Sequence, residues 1–117
     1  MQTSLEILAS YVLPEGILDY FDIEQITEQK GELSITLAEK NYPPSQPSQH
    51  IQSKGFYPTI SIVDFPIRDR SVKLLIRKRK WKDLDSGKVV KRDWSCLRSK
   101  GSSYTEEFGA FLKEVVG

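Results

Sequence analysis

The most distinctive chemistry in this sequence is a run of four consecutive cations, Arg77, Lys78, Arg79 and Lys80, followed directly by Trp81. Guanidinium and ammonium groups bind phosphates, and each one placed at a phosphate releases a counterion from a nucleic acid. An indole ring can stack on a base or pack in a core. The pattern therefore predicts a nucleic-acid-binding segment with Trp81 as its candidate stacking residue. The candidate contact residues are Arg77, Lys78, Arg79, Lys80, Lys82, Lys88, Lys91 and Arg92.

Strand periodicity predicts how this basic segment is presented. Successive side chains of a strand point to opposite faces, so Val72, Leu74 and Ile76 share one apolar face. Beyond Ile76 both faces are cationic, and unpaired charges are costly to bury. We therefore expect a long hairpin, with strands at 71–82 and 88–95, whose distal part projects past the core into water. A β-ribbon of this kind fits the major groove of double-stranded DNA.

Charge is distributed unevenly along the chain. Residues 1–40 carry a net charge of −6 and residues 67–103 a net charge of +9, although the whole chain is only +1. Opposite signs in different segments are typical of a protein that contacts a polyanion. The same asymmetry also fits acidic and basic segments that screen each other within one fold, and both interpretations stay open.

Length and composition exclude several other classes of protein. The chain has 117 residues, of which 38% are hydrophobic, so we expect one folded domain over residues 1–117, too short for a barrel enzyme. One cysteine, Cys96, excludes an internal disulfide, and a reducing cytoplasmic setting without membrane contact is expected. His50 is the only histidine and is not spaced with Cys96 as a nucleophilic pair. The sequence therefore predicts a protein that is not an enzyme and needs no cofactor or metal.

The predicted fold class is α+β, with a small antiparallel sheet of about five strands in two hairpin-like units and a helix at each end. The element order is α-β-β-β-β-β-α. A Pro-rich loop over 41–54 is expected to be the most mobile internal region. The predicted helices cover 4–13 and 104–115, with a short helical turn near 17–21, and the strands cover 22–29, 32–38, 57–64, 71–82 and 88–95.

Six segments carry a resemblance to a known family. They are LPEGILDYF (13–21), SKGFY (53–57), VDFPIR (63–68), IRKRKW (76–81), RDW (92–94) and YTEEFGAFL (104–112). In order and spacing they resemble the N-terminal region of ISAon-type insertion-sequence transposases of Bacteroides-like bacteria. The resemblance implies a non-catalytic region that recognises DNA, such as the ends of the element. It also implies a partner, since strand transfer would belong to a separate, metal-dependent RNase H-like subunit or domain.

The Asp-Phe-Pro segment followed by a basic strand also resembles the zinc-binding module of the broader ISL-type transposases. Those modules carry two cysteine pairs, but the matching regions here, around 49–54 and 82–86, contain no cysteine. If the fold is shared, packing replaces the metal.

Two other functions remain open. The chain could be a protein-interaction module that docks onto the catalytic transposase through its acidic N-terminal third. It could also be a folded domain whose function has decayed with its element.

Overall fold

The computed structural model describes residues 4–13, 16–92 and 94, and this part of the chain is mainly β with two short helices. The structure confirms the first four predicted elements, which are the helices near 4–13 and 17–21 and the strands at 22–29 and 32–38. The helix predicted at 104–115 lies outside the described residues. The elements are α1 (Ser4–Val12), α2 (Ile17–Tyr20), β1 (Phe21–Gln29), β2 (Glu32–Glu39), β3 (Ile51–Phe56), β4 (Ile60–Ile67), β5 (Arg70–Arg77), β6 (Arg79–Asp83) and β7 (Val89–Val90).

The strands form two sheets, where the sequence predicted one of about five strands. The first has the order β1-β2-β5-β4 and the second has the order β3-β6-β7. The prediction of a wholly antiparallel sheet is wrong at one position, because β2 and β5 run parallel. Parallel neighbours need a long crossover connection, and the chain between β2 and β5 supplies it. Their register places Ile35 beside Leu74 and Leu37 beside Ile76.

The β1–β2 hairpin follows directly from the local sequence. Lys30 and Gly31 form its two-residue turn, with φ angles of 49° and 80°. Two consecutive positive φ angles match the right-handed twist of the flanking strands, and glycine adopts such an angle without a steric penalty. The strands pair from Gln29 with Glu32 to Phe21 with Glu39, with one irregularity between Ile23 and Gln25.

A second, longer hairpin passes from one sheet into the other. On one side, β3 and β4 are separated by residues 57–59, and on the other, β5 and β6 are separated by Lys78 alone. The Tyr57 N–H donates to the Lys78 carbonyl oxygen at 2.8 Å. The bend between β3 and β4 therefore lies beside the bend between β5 and β6. The strand predicted at 57–64 therefore lies at Ile60–Ile67, and residues 51–54, predicted as loop, belong to β3.

The main core lies between the first sheet and the two helices. The prediction that Val72, Leu74 and Ile76 form one buried face is confirmed, since none is more than 2% exposed. Trp94 packs in the same core, with its ring stacked on Phe21 at a centroid distance of 5.2 Å. No helix in the described residues is long and apolar enough to cross a membrane.

Candidate nucleic-acid interface

The bend at Lys78 changes which residues of the basic hairpin face inward. In β5 the buried residues are the even-numbered Val72, Leu74 and Ile76, but in β6 they are Trp81 and Asp83. The prediction that both faces are cationic beyond Ile76 is therefore wrong. Because Lys78 belongs to neither strand, it shifts the alternation by one position and gives β6 an inward face of its own.

Glu39, at the end of β2, organises that inward face. Its side chain is buried and accepts hydrogen bonds from the Arg79 backbone N–H (2.9 Å), the Trp81 indole N–H (2.9 Å) and Arg92 Nε (3.0 Å). Arg79 Nε also donates to the Glu39 backbone carbonyl at 2.8 Å. A buried carboxylate needs such partners because burial removes its hydration. Two arginines predicted to contact DNA are thereby turned toward the interior.

Arg92 is further enclosed by aromatic rings. Its guanidinium carbon lies 5.3 Å from the Tyr20 ring centroid and 5.6 Å from those of Trp81 and Trp94. These are cation–π distances, and desolvation strengthens such contacts. Trp81, the predicted stacking residue, is only 1% exposed, so the structure places its ring in packing and hydrogen bonding and not on the surface.

Arg77 also pairs with a carboxylate of the same chain. Its Nη1 lies 2.6 Å from Glu24 Oε1 of β1, and its guanidinium carbon lies 4.2 Å from the Phe56 ring centroid. The acidic N-terminal third therefore screens part of the basic hairpin, which was one of the two interpretations of the charge asymmetry. All three arginines in the predicted contact set are thus bonded to glutamates of β1 or β2.

The lysines of the second sheet have different surroundings. Cross-strand pairing places Gln52 beside Lys82 and Lys82 beside Val89, so these side chains share the outer face of the sheet. Lys80 lies two residues from Lys82 on that face. Lys54 is an exposed residue of β3 in the irregular stretch between Ser53 and Phe56, and two further lysines flank β7. We call the five exposed residues Lys54, Lys80, Lys82, Lys88 and Lys91 the lysine patch.

No ammonium group of the lysine patch forms an ion pair within 4.0 Å of a carboxylate in the described residues. Neighbouring strands lie about 4.8 Å apart, so exposed lysines on or beside three adjacent strands lie near one another. Lys78 is half-buried beside this surface and has other interactions. Four of the eight predicted contact residues, Lys80, Lys82, Lys88 and Lys91, therefore belong to the patch.

Sequence reasoning missed two residues of this region. Lys54 was assigned to the Pro-rich loop, and only the pairing of β3 with β6 brings it to the lysine patch. Tyr57 carried no signal beyond its position near the strand, yet the ammonium groups of Lys78 and Lys80 lie 6.0 and 5.5 Å from its ring centroid.

A cavity of about 540 Å³ opens beside the bend between the two sheets. Tyr57, Pro58, Ile60 and Val90 contribute apolar surface to its lining, and Lys91 joins it to the lysine patch. Glu39, Arg79 and Arg92 also line it, already bonded to one another.

The loop before β3 is attached to the turn after β6. His50 Nδ1 lies 3.0 Å from both carboxylate oxygens of Asp85, and Ser48 Oγ donates to Asp83 Oδ1 at 2.8 Å. The hydrogen bond to Asp85 raises the pKa of His50, and the Ser48 hydroxyl lowers the pKa of Asp83.

Elsewhere, burial raises the pKa of Asp64. Within the described residues, no group of three or more His, Cys, Asp or Glu side chains is placed to hold a metal ion.

Comparisons with protein-family models, curated proteins and solved structures found no match to this chain. Its function is therefore inferred from its own residues.

Proposed function

We propose that this chain is a non-catalytic DNA-binding N-terminal region of an insertion-sequence transposase, and that it contacts double-stranded DNA through the lysine patch. The observation that carries the proposal is the set of five exposed ammonium groups that lack carboxylate partners within the described residues. The transposase context rests on the resemblance of the six sequence segments.

Lysines rather than arginines form the proposed contact because the arginines already have partners. Moving Arg92 to a phosphate would leave the buried Glu39 carboxylate without its cation, and an uncompensated buried charge costs several kcal/mol. Moving Arg79 would break the hydrogen bond from its Nε to the Glu39 backbone carbonyl. The lysine patch has no such cost, since none of its ammonium groups would leave a carboxylate of the described residues. The basic hairpin thus remains the proposed DNA-binding element, but with a smaller contact surface than the sequence predicted.

Fluorescence anisotropy tests the proposal. It measures the binding of a short fluorescent DNA duplex to the protein at several salt concentrations. Each phosphate contact contributes a slope of about −0.9 to the dependence of log affinity on log salt. We expect the triple variant Lys54→Gln, Lys80→Gln, Lys82→Gln to bind more weakly and with a shallower slope. The matched control is Lys73→Gln, because Lys73 Nζ already lies 3.6 Å from Glu32 Oε1. Unchanged binding by the triple variant would refute the assignment of this surface.

A protein-docking module is the second candidate, and one observation favours it. Leu8 and Tyr11 of α1 are 65% and 82% exposed, which is unusual for large apolar side chains on a short helix. A pull-down with the transposase polypeptide encoded beside this chain, repeated after nuclease treatment, separates the two functions. A nuclease-resistant complex that is lost in Leu8→Ser, Tyr11→Ser would support docking, whereas a complex lost with the DNA would support DNA binding alone.

A further inference from the structure

The cavity beside the bend adjoins the proposed DNA-binding surface. Lys91 belongs both to the cavity lining and to the lysine patch, and Tyr57 of the lining contacts Lys80 of the patch. A volume of about 540 Å³ is within the range of small-molecule sites and can hold a group the size of a nucleotide. Any DNA held at the lysine patch would therefore lie next to this opening.

Tyr57 has the features of a stacking residue. Its side chain is half-buried and its backbone N–H is bonded to the Lys78 carbonyl at 2.8 Å, so its position at the bend is fixed. The ammonium groups of Lys78 and Lys80 lie 6.0 and 5.5 Å from its ring centroid. These ammonium groups lie over the ring, so a base that stacks on Tyr57 takes the place of a cation there, and the displaced cation meets an adjoining phosphate.

The remaining lining restricts the chemistry of the ligand. The Glu39 carboxylate already accepts three hydrogen bonds, and both arginines in the lining donate to Glu39. These groups are therefore not available to bind a small ion. Pro58, Ile60 and Val90 supply apolar surface instead. Apolar surface with lysine ammonium groups nearby fits a nucleotide, which has a flat base attached to an anionic backbone.

We infer that the cavity accepts one unpaired base of DNA bound at the lysine patch, which stacks on Tyr57 while Lys80 and Lys91 hold the flanking phosphates. This inference rests on the proposed function. Stacking tolerates any base, because every base has a π-face. The chain would thus prefer duplexes with an overhanging, frayed or mismatched nucleotide over fully paired duplexes, without regard to the sequence.

The test compares two labelled duplexes that differ only in one unpaired terminal nucleotide. We expect the full chain to bind the duplex with the unpaired nucleotide about fivefold more tightly, or better, which corresponds to one stacked base. Replacing that nucleotide with a fluorescent purine analogue gives a second readout, because stacking on Tyr57 changes its emission. Equal affinity for the two duplexes would overturn the inference.

Three variants assign the effect to the cavity. Tyr57→Leu should remove the preference for the unpaired nucleotide, and Tyr57→Phe should retain the preference because it keeps the ring. Thr59→Trp, at an exposed position of the lining, should narrow the cavity and also remove the preference without altering the ring. A preference that persists in both Tyr57→Leu and Thr59→Trp would refute this site.

The results also separate this inference from the proposed function. If the paired duplex binds through the lysine patch but the unpaired nucleotide adds nothing, only the cavity inference fails. If neither duplex binds, the proposed function fails and the cavity inference fails with it. Circular dichroism of each variant establishes that it is folded before its binding is interpreted.

Discussion

Glu39 and Arg92 form an ion pair in which Arg92 Nε lies 3.0 Å from Glu39 Oε2, and the Glu39 side chain is only 2% exposed and that of Arg92 13%. The pair joins the end of β2 to the segment that follows β7, across a separation of 53 residues. Because the same carboxylate also binds Arg79 and Trp81, it connects the first sheet to the second.

Glu39→Ala should therefore lower the free energy of unfolding by about 3 kcal/mol, since it leaves the largely buried Arg92 guanidinium without its counter-charge. Urea denaturation followed by circular dichroism measures the change. The control is Glu32→Ala, whose exposed pair with Lys73 should contribute about 1 kcal/mol or less. A loss no larger in Glu39→Ala than in Glu32→Ala would contradict the role given to Glu39.

Glu24→Gln should strengthen DNA binding. Removing this carboxylate frees Arg77, whose Nη1 is 2.6 Å from Glu24 Oε1, and makes one more cation available to a phosphate. The slope of log affinity against log salt should steepen by about 0.9, as measured by fluorescence anisotropy. Glu28→Gln is the matched control because its partner, Arg70, lies at the start of β5, away from the lysine patch. If both variants steepen the slope equally, the effect is one of net charge and not of Arg77.

The His50–Asp85 pair should make the attachment of the 41–50 loop depend on pH. The pKa of His50 is raised above its ordinary value of 6.5, chiefly by its hydrogen bond to Asp85. When folding raises the pKa of a group, its protonated form stabilises the folded state. This stabilisation is complete at pH values below the pKa of the group in the unfolded chain, and it is lost as the pH rises through the pKa of the group in the folded protein. The attachment should therefore be strongest below about pH 6.5 and weaken above the raised pKa.

An NMR titration of the imidazole protons measures this pKa directly, and His50 is the only histidine in the chain. Asp85→Asn should return the pKa toward 6.5, whereas Asp69→Asn, in the distant β4–β5 turn, should leave it unchanged. An unchanged pKa in Asp85→Asn would show that the pair does not form in solution.

Tryptophan emission tests the corrected role of Trp81. Trp81 and Trp94 are the only tryptophans, and they are 1% and 2% exposed. We expect blue-shifted emission that acrylamide quenches poorly and that saturating duplex DNA leaves unchanged, because neither indole reaches a base. Strong quenching by DNA that disappears in Trp81→Phe would instead restore Trp81 as a stacking residue.

Local sequence was sufficient to predict an element wherever neighbouring residues determine its structure. The alternation of Leu33, Ile35 and Leu37 with polar residues predicted β2, and the gap between the predicted strands 22–29 and 32–38 is the turn that Lys30 and Gly31 form. The apolar face of β5 was also predicted from its alternation. In each case hydrophobic burial and backbone sterics act over a few residues, so the pattern is visible in the chain itself.

The pattern failed where distant segments determine the structure. Residues 51–56 have no alternating apolar pattern, and they form β3 because β6 supplies hydrogen-bond partners. The change of inward face at Lys78 comes from the bend between the two sheets, and a single residue between two strands carries no sequence signal. The cavity was not predictable for the same reason, since its lining comes from four separate parts of the chain.

By itself, the sequence determined where the positive charge is concentrated and that Val72, Leu74 and Ile76 would be buried. Only the tertiary structure decided which of those charges remain on the surface. Glu39 holds Arg79 and Arg92 toward the interior and Glu24 pairs with Arg77 at the surface, whereas the pairing of β3, β6 and β7 leaves the lysine patch exposed. The physical reason is that a charge's availability depends on the nearest opposite charge in space, which the order of residues does not specify.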